Sequence, residues 1–207
     1  MNTLAPTDPR SSFATAVATA RPLIDGVRPD QLTLPTVCTE FDVRGLLGHM
    51  LMVFERVTAL GNGDDPMAID EEVVVADEAW PAAFDAAAHR VQAAWTDDAK
   101  LSQLMVLPWA TAPGAAMLCM YTSELSVHTW DLAQATGQTV AWHEPTLQVA
   151  LQTALQALPS GDREAQFAEM AKDMPQIAGR PPFRSAVEVA DESSTLDRLI
   201  GWYGRRP

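Results

Sequence analysis

Apolar residues recur at helical spacing in several long stretches of the chain. The clearest starts at Asp42, a natural N-cap with Phe41 just outside it. It continues through Val43, Leu46, Leu47, Met50, Val53, Phe54, Val57 and Leu60, and Gly61-Asn62-Gly63 stops it. Ser11 to Val27 carries a looser stripe of Phe13, Val17 and Ile24, with Pro22 placed to bend or limit the helix. Asp77 to Thr96 repeats Trp80, Phe84, Ala87, Val91 and Trp95, and Pro81 falls in its first turn, where proline is tolerated. A fourth helix is predicted from Pro113 to Gln134 or Ala135, with Gly137 as its stop, and a fifth from Pro145 to Leu158. Ser194 and Asp197 are spaced to cap a last short helix that ends at Gly204.

The intervening segments read differently. Arg28 to Phe41 contains Pro29 and Pro35 and is predicted to be a loop; Asp64 to Ala76 is an acidic connector. Leu104-Met105-Val106-Leu107 before Pro108 suits a short β-ribbon, Val187-Glu188-Val189 a short strand, and Gly179-Arg180-Pro181-Pro182 a turn. The expected architecture is mainly α: a four-helix bundle with short extra helices and a minor β-ribbon. One domain spans 1–207, in which 160–207 is a less regular C-terminal tail packed on the bundle.

Composition narrows the function. Hydrophobic residues make up 47% of the 207, enough to fill a core, yet no apolar run is long enough to span a bilayer. The polar, proline-containing start, Met1 to Arg10, lacks a signal-peptide core, so a cytoplasmic protein is expected. A formal net charge of −13 argues against nucleic acid and against anionic membranes as partners. Cys38 and Cys119 form no C-x-x-C pair, which removes zinc-finger and redox-pair readings and leaves buried free thiols in a reducing compartment.

The candidate chemistry lies in the fourth helix. Glu124 and His128 are four residues apart, which stacks a carboxylate and an imidazole on one face, one turn apart. Such a pair can share a metal ion if a third donor joins it, and His49, flanked by Leu46, Met50 and Val53 at helical spacing, is the best candidate. Each residue also has a plainer explanation. A histidine on an apolar face is commonly a hydrogen-bonded core residue, and Glu124 is either solvent-facing or simply paired with a histidine. Asp131, one turn past His128, either holds a ligating imidazole from behind or forms an ordinary surface salt bridge. His89 falls off the stripe of its helix and His143 sits at a helix entrance, so neither is a candidate. Trp80, Trp95, Trp109 and Trp130 are candidate pocket walls, with core packing as the competing role.

Three stretches carry a family resemblance. Ser123 to Gln138, reading E-x-x-x-H-x-W-D-L-A-x-A-T-G, resembles an actinobacterial metal-binding family related to the N-terminal domain of mycothiol-dependent maleylpyruvate isomerase and, more distantly, to DinB-like bundles. Cys38 to His49 is similar to the family's C-x-E-W-D-V-x-x-L-x-x-H, with Phe41 in place of tryptophan and Val37 where a proline is usual. Phe183 to Val189 and the closing Gly204-Arg205-Arg206-Pro207 resemble its end. The resemblance implies a bundle with a divalent metal held by His49, Glu124 and His128. It also implies that the isomerase carries an additional C-terminal domain where this chain has a short tail.

Three protein ligands with an open position match a catalytic zinc site, and nickel also suits nitrogen and oxygen donors. The resemblance adds a low-molecular-weight thiol as co-substrate. The resulting expectation is a metal-dependent thiol transferase or isomerase of the mycothiol type, acting on a small electrophile. The alternatives are a non-catalytic, metal-dependent small-molecule-binding module and a metal-free helical dimer in which His49, Glu124 and His128 are hydrogen-bonded together. A symmetric homodimer is compatible with the sequence, which marks no interface.

Overall fold

A computed structural model describes residues 8–70, 73–173, 183–190 and 192–207. The helices are α1 (Pro9–Asp25), α2 (Val43–Asn62), α3 (Trp80–Ala94), the single turn α4 (Ala99–Ser102), α5 (Gly114–Thr136), α6 (Glu144–Ala157), α7 (Arg163–Asp173) and α8 (Thr195–Trp202). Strands β1 (Leu104–Leu107) and β2 (Ala110–Pro113) form an antiparallel ribbon across the turn Pro108-Trp109. None of the helices among the described residues is long and apolar enough to cross a membrane.

Local chemistry sets the boundaries of the two helices that matter most. The Asp42 carboxylate accepts from the Gly45 N–H at 2.8 Å and starts α2, and Gly63 ends it in the left-handed conformation at φ +80°. α5 begins after Pro113, whose fixed φ suits a helix entry, and ends at Gly137 with φ +70°. In α1, Pro22 limits nothing: the helix continues through it to Asp25, as a proline in the last turn removes a single ladder bond.

α1, α2, α3 and α5 make the four-helix bundle. α5 packs against α1 and α2, and α3 closes the other side against both. Phe13, Phe54 and Phe84 meet edge to face in its core, with centroid distances of 5.8 and 4.7 Å. Trp95 ties α3 to α2 by donating from Nε1 to the Val57 carbonyl at 2.9 Å. α6 covers the opposite face of α5 and α8 covers α6, giving a second cluster of Val127, Trp130, Leu147, Leu151, Ile200 and Tyr203. α5 is therefore sandwiched: from Tyr121 to Ala133 every residue is buried except Glu124.

The C-terminal part differs from the sequence expectation at two points. Arg163–Asp173 is a helix within the segment expected to be less regular. Val187–Val189 forms no strand and joins no ladder; the Val187 N–H instead donates to the Gly201 carbonyl of α8 at 2.8 Å. The turn expected at 179–182 lies outside the described residues.

Candidate metal centre

The site lies where α2 faces α5. His49 comes from the second turn of α2, and Glu124 and His128 come from adjacent turns of α5. Nε2 of His49 lies 3.2 Å from Oε1 of Glu124, and the two imidazoles meet edge to face with centroids 4.7 Å apart. The ligand atoms of His49, Glu124 and His128 all lie within 4.8 Å of one another. Phe41, just before the α2 cap, stacks on the His49 ring at 5.0 Å. The side chains of His49 and Glu124 are 18% and 21% exposed while that of His128 is 4% exposed, so the cluster sits at an opening rather than in a sealed core.

Behind His128 is a buried charge chain. His128 Nδ1 donates to Oδ2 of Asp131 at 3.0 Å, and Asp131 is completely buried. Arg205, from the C-terminal tail, forks onto the same carboxylate, Nε to Oδ1 at 2.8 Å and Nη2 to Oδ2 at 2.7 Å. The surface salt bridge considered for Asp131 is thus excluded by burial. A carboxylate already neutralised by a guanidinium leaves His128 no need of a second proton, so Nδ1 carries the hydrogen and the Nε2 lone pair is free.

The acid–base balance agrees. Burial pulls the His128 pKa below the ordinary histidine value, and the Asp131 hydrogen bond only partly opposes it. Burial raises the Glu124 carboxyl, but the hydrogen bond and charge of His49, with His128 and Arg56, outweigh it and hold the pKa below the usual range. Asp131 is likewise raised by burial and lowered further by His128 and Arg205, with a net fall. At neutral pH the cluster is therefore an anionic carboxylate beside a neutral His128, a donor set that suits a divalent cation.

Cys38, His128 and Asp131 form a second group with ligand atoms within 4.8 Å of one another. It fits a cation poorly. Both Asp131 oxygens already accept charged or ring N–H donors, the Arg205 guanidinium repels a metal, and burial raises the Cys38 thiol pKa. Both cysteines are free thiols, half-buried rather than buried as the sequence suggested. Of the other candidates, Trp80, Trp95 and Trp130 are buried in packing, while Trp109 is half exposed at the ribbon tip. His89 is exposed, and His143 pairs locally with Thr146 at 2.9 Å. A surface hollow of about 350 Å³ between α1 and α3, lined by Phe13, Val17, Val91 and Trp95 among others, contains none of the donors.

The sequence places Arg205 in the closing stretch that resembles the family's end but gives it no role. The available signal was Asp131 itself: a carboxylate on a helix apolar all round needs a cation, but the chain holds 14 Lys and Arg and spacing does not choose among them.

Comparisons with known proteins bear on the family and the fold. Two Mycobacterium tuberculosis proteins, uncharacterized protein Rv0738 (strain ATCC 25618 / H37Rv) and uncharacterized protein MT0763 (strain CDC 1551 / Oshkosh), are each 31% identical to this chain over 176 residues, covering 84% of it and 92% of their own length. Crystal structures of mycothiol-dependent maleylpyruvate isomerase and of a histidine-to-alanine variant of it superpose with TM-scores of 0.60 at 14% identity, a likeness of fold. Those superpositions span 90% and 88% of the isomerase chains, which corrects the expectation that the isomerase has a whole C-terminal domain with no counterpart here. Residues 13–133 match the profile of the mycothiol maleylpyruvate isomerase N-terminal domain, and the chain belongs to that family.

Proposed function

We propose that His49, Glu124 and His128 hold one divalent metal ion, zinc or nickel by donor type, and that the protein uses it to transfer or isomerise with a mycothiol-type thiol and a small electrophile. The observation that supports this most directly is the convergence of two ring nitrogens and a carboxylate from separate helices at a partly open edge. When bound, the metal would supply Lewis acidity at its open position, lowering the pKa of a thiol or water so that a nucleophile exists at neutral pH. The chain's own residues prepare that position. Asp131 and Arg205 fix the His128 tautomer, Phe41 restrains the His49 ring, and Glu124 contributes the negative charge.

The test is metal content by mass spectrometry followed by turnover. The purified protein should hold about one equivalent of metal per chain, and His128→Ala should lose it. Incubation with mycothiol and a panel of small electrophiles should then give saturable product formation that the metal-free protein does not. Unchanged metal content in His128→Ala overturns the ligand assignment. Saturable thiol binding without turnover identifies a binding module instead of an enzyme.

A further inference from the structure

The C-terminal tail touches both ligand-bearing turns of α5. Tyr203 donates its hydroxyl to Ser123 Oγ at 2.8 Å, immediately beside Glu124 in the chain. Gly204, at φ +78°, turns the backbone in a conformation that side chains rarely adopt. The next residue, Arg205, is 8% exposed. Besides its two bonds to Asp131, it donates from Nη1 to the Tyr203 carbonyl at 2.9 Å. The guanidinium is thus held on three sides, and the plane of its fork sets the plane of the Asp131 carboxylate. That carboxylate in turn receives Nδ1 of His128.

We infer that Arg205 is a positioning residue for the metal centre. Through Asp131 it locks the ring of His128 so that Nε2, not Nδ1, is presented to the ion. The inference rests on the metal reading above. It adds that a side chain 77 positions further along the sequence than His128 tunes metal affinity without touching the metal. An Arg-to-Lys change is not conservative at such a place, because a lysine offers a point charge where the fork makes two parallel bonds.

The experiment is a double-mutant cycle on metal affinity. Zinc dissociation constants are measured by competition with a chromophoric chelator for the parent protein, Arg205→Ala, Asp131→Asn and the double variant, with the apo melting temperature of each recorded. Loss of a partner behind a metal ligand typically weakens binding 10- to 100-fold, and that is the loss expected for Arg205→Ala. Because Arg205 acts through Asp131, the double variant should bind within about twofold of Asp131→Asn alone. The ¹⁵N shifts of His128 in the apo protein should report the Nδ1–H tautomer in the parent and a mixture in Asp131→Asn, whose amide can either accept from or donate to Nδ1.

Affinity in Arg205→Ala within twofold of the parent overturns the inference, as do losses that multiply in the double variant. If Arg205→Ala does not fold, Arg205→Lys replaces it: a three- to tenfold weakening with an altered cobalt(II) absorption spectrum is expected, and unchanged affinity and spectrum overturn the inference. A parent protein that binds no zinc, cobalt or nickel overturns the metal reading and this inference together. A parent that binds metal as tightly as the variants overturns the inference alone.

Discussion

The pair between Asp131 and Arg205 gives the sharpest stability prediction. Asp131 has no exposed side-chain surface and Arg205 has 9%, so neither can recover its lost hydration if the other is removed. Asp131→Asn keeps the shape and removes the charge. Its amide group must take the place of either Oδ1, opposite Arg205 Nε, or Oδ2, opposite Arg205 Nη2 and His128 Nδ1. In either orientation a donor faces a donor, and a guanidinium stays buried without its counter-charge. Removing one partner of a buried pair costs about 3–5 kcal/mol. For a protein of this size about 1 kcal/mol moves the melting temperature by roughly 2–4 °C, so a fall of about 6–20 °C is expected. The assay is urea denaturation of the chelator-treated protein followed by far-UV circular dichroism, with the slope unchanged between parent and variant. A charge-free pair, Asp131→Asn with Arg205→Met, should recover part of the loss because no uncompensated charge remains. A loss below about 1 kcal/mol for Asp131→Asn would equal that of a solvated surface pair and would refute the burial argument.

Other outcomes follow from the same structure. His128 has a folded pKa below its unfolded value near 6.5, so between those values the unfolded chain binds more protons, and apo stability should fall as pH drops below about 6.5. Glu124 and Asp131, both depressed, add stability that is present above about pH 4 and is lost as pH falls through their folded values; a denaturation midpoint unchanged between pH 7 and pH 5 would contradict the His128 part. Gly137→Ala places a side chain at φ +70° and should cost about 1–2 kcal/mol in thermal melts, although open space surrounds the position; a neutral result would mean that the α5 stop relaxes freely. Phe54→Ala, at a fully buried position between Phe13 and Phe84, should cost about 3–5 kcal/mol, and a loss under 1 kcal/mol would show that the bundle core refills.

The bundle was legible in the chain because its helices bury one side: the α2 stripe from Val43 to Leu60 and the glycine stops at Gly63 and Gly137 are signals of periodicity and backbone freedom. α7 was not legible because it is nearly all exposed. Arg163 is its one buried residue among those whose burial is described, and an exposed helix writes no apolar stripe. Val187-Glu188-Val189 alternates as a strand should, but its neighbour is a helix end, and alternation alone does not say what the backbone will pair with. At the site, four-residue spacing brings Glu124 and His128 to one face, but the approach of His49 is a tertiary fact that spacing only permits. The roles of Phe41 and Arg205 lie further out of reach, because ring stacking on His49 and a salt bridge across 74 residues leave no local pattern.

The way α5 satisfies its polar side chains separates Glu124 from the rest. A helix packed on every side can bury polar groups only if each finds a partner. Thr122, Ser126 and Thr129 return their hydroxyls to the carbonyl four residues back, at 2.8, 2.7 and 2.7 Å. Ser123 donates across to Ala150 at 3.0 Å, and His128 and Asp131 are closed by Arg205. These contacts belong to the fold, and the buried Tyr121 hydroxyl, which has no hydrogen-bond partner among the described residues, is an exception on this helix. Glu124 is different. It is an anion at neutral pH, it stands at the one opening along the Tyr121–Ala133 segment, and the hydrogen bond it makes among the described residues is a 3.2 Å contact to His49. A carboxylate has about four acceptor positions, more than one long bond to an imidazole uses, and the positive charge of Arg56 also acts on it. A role confined to packing would be met as well by an apolar residue, since exchanging buried polar partners for hydrophobic ones is often neutral or stabilising. The charge that Glu124 presents, beside the bare nitrogen of His128, is what the proposed metal ion would answer.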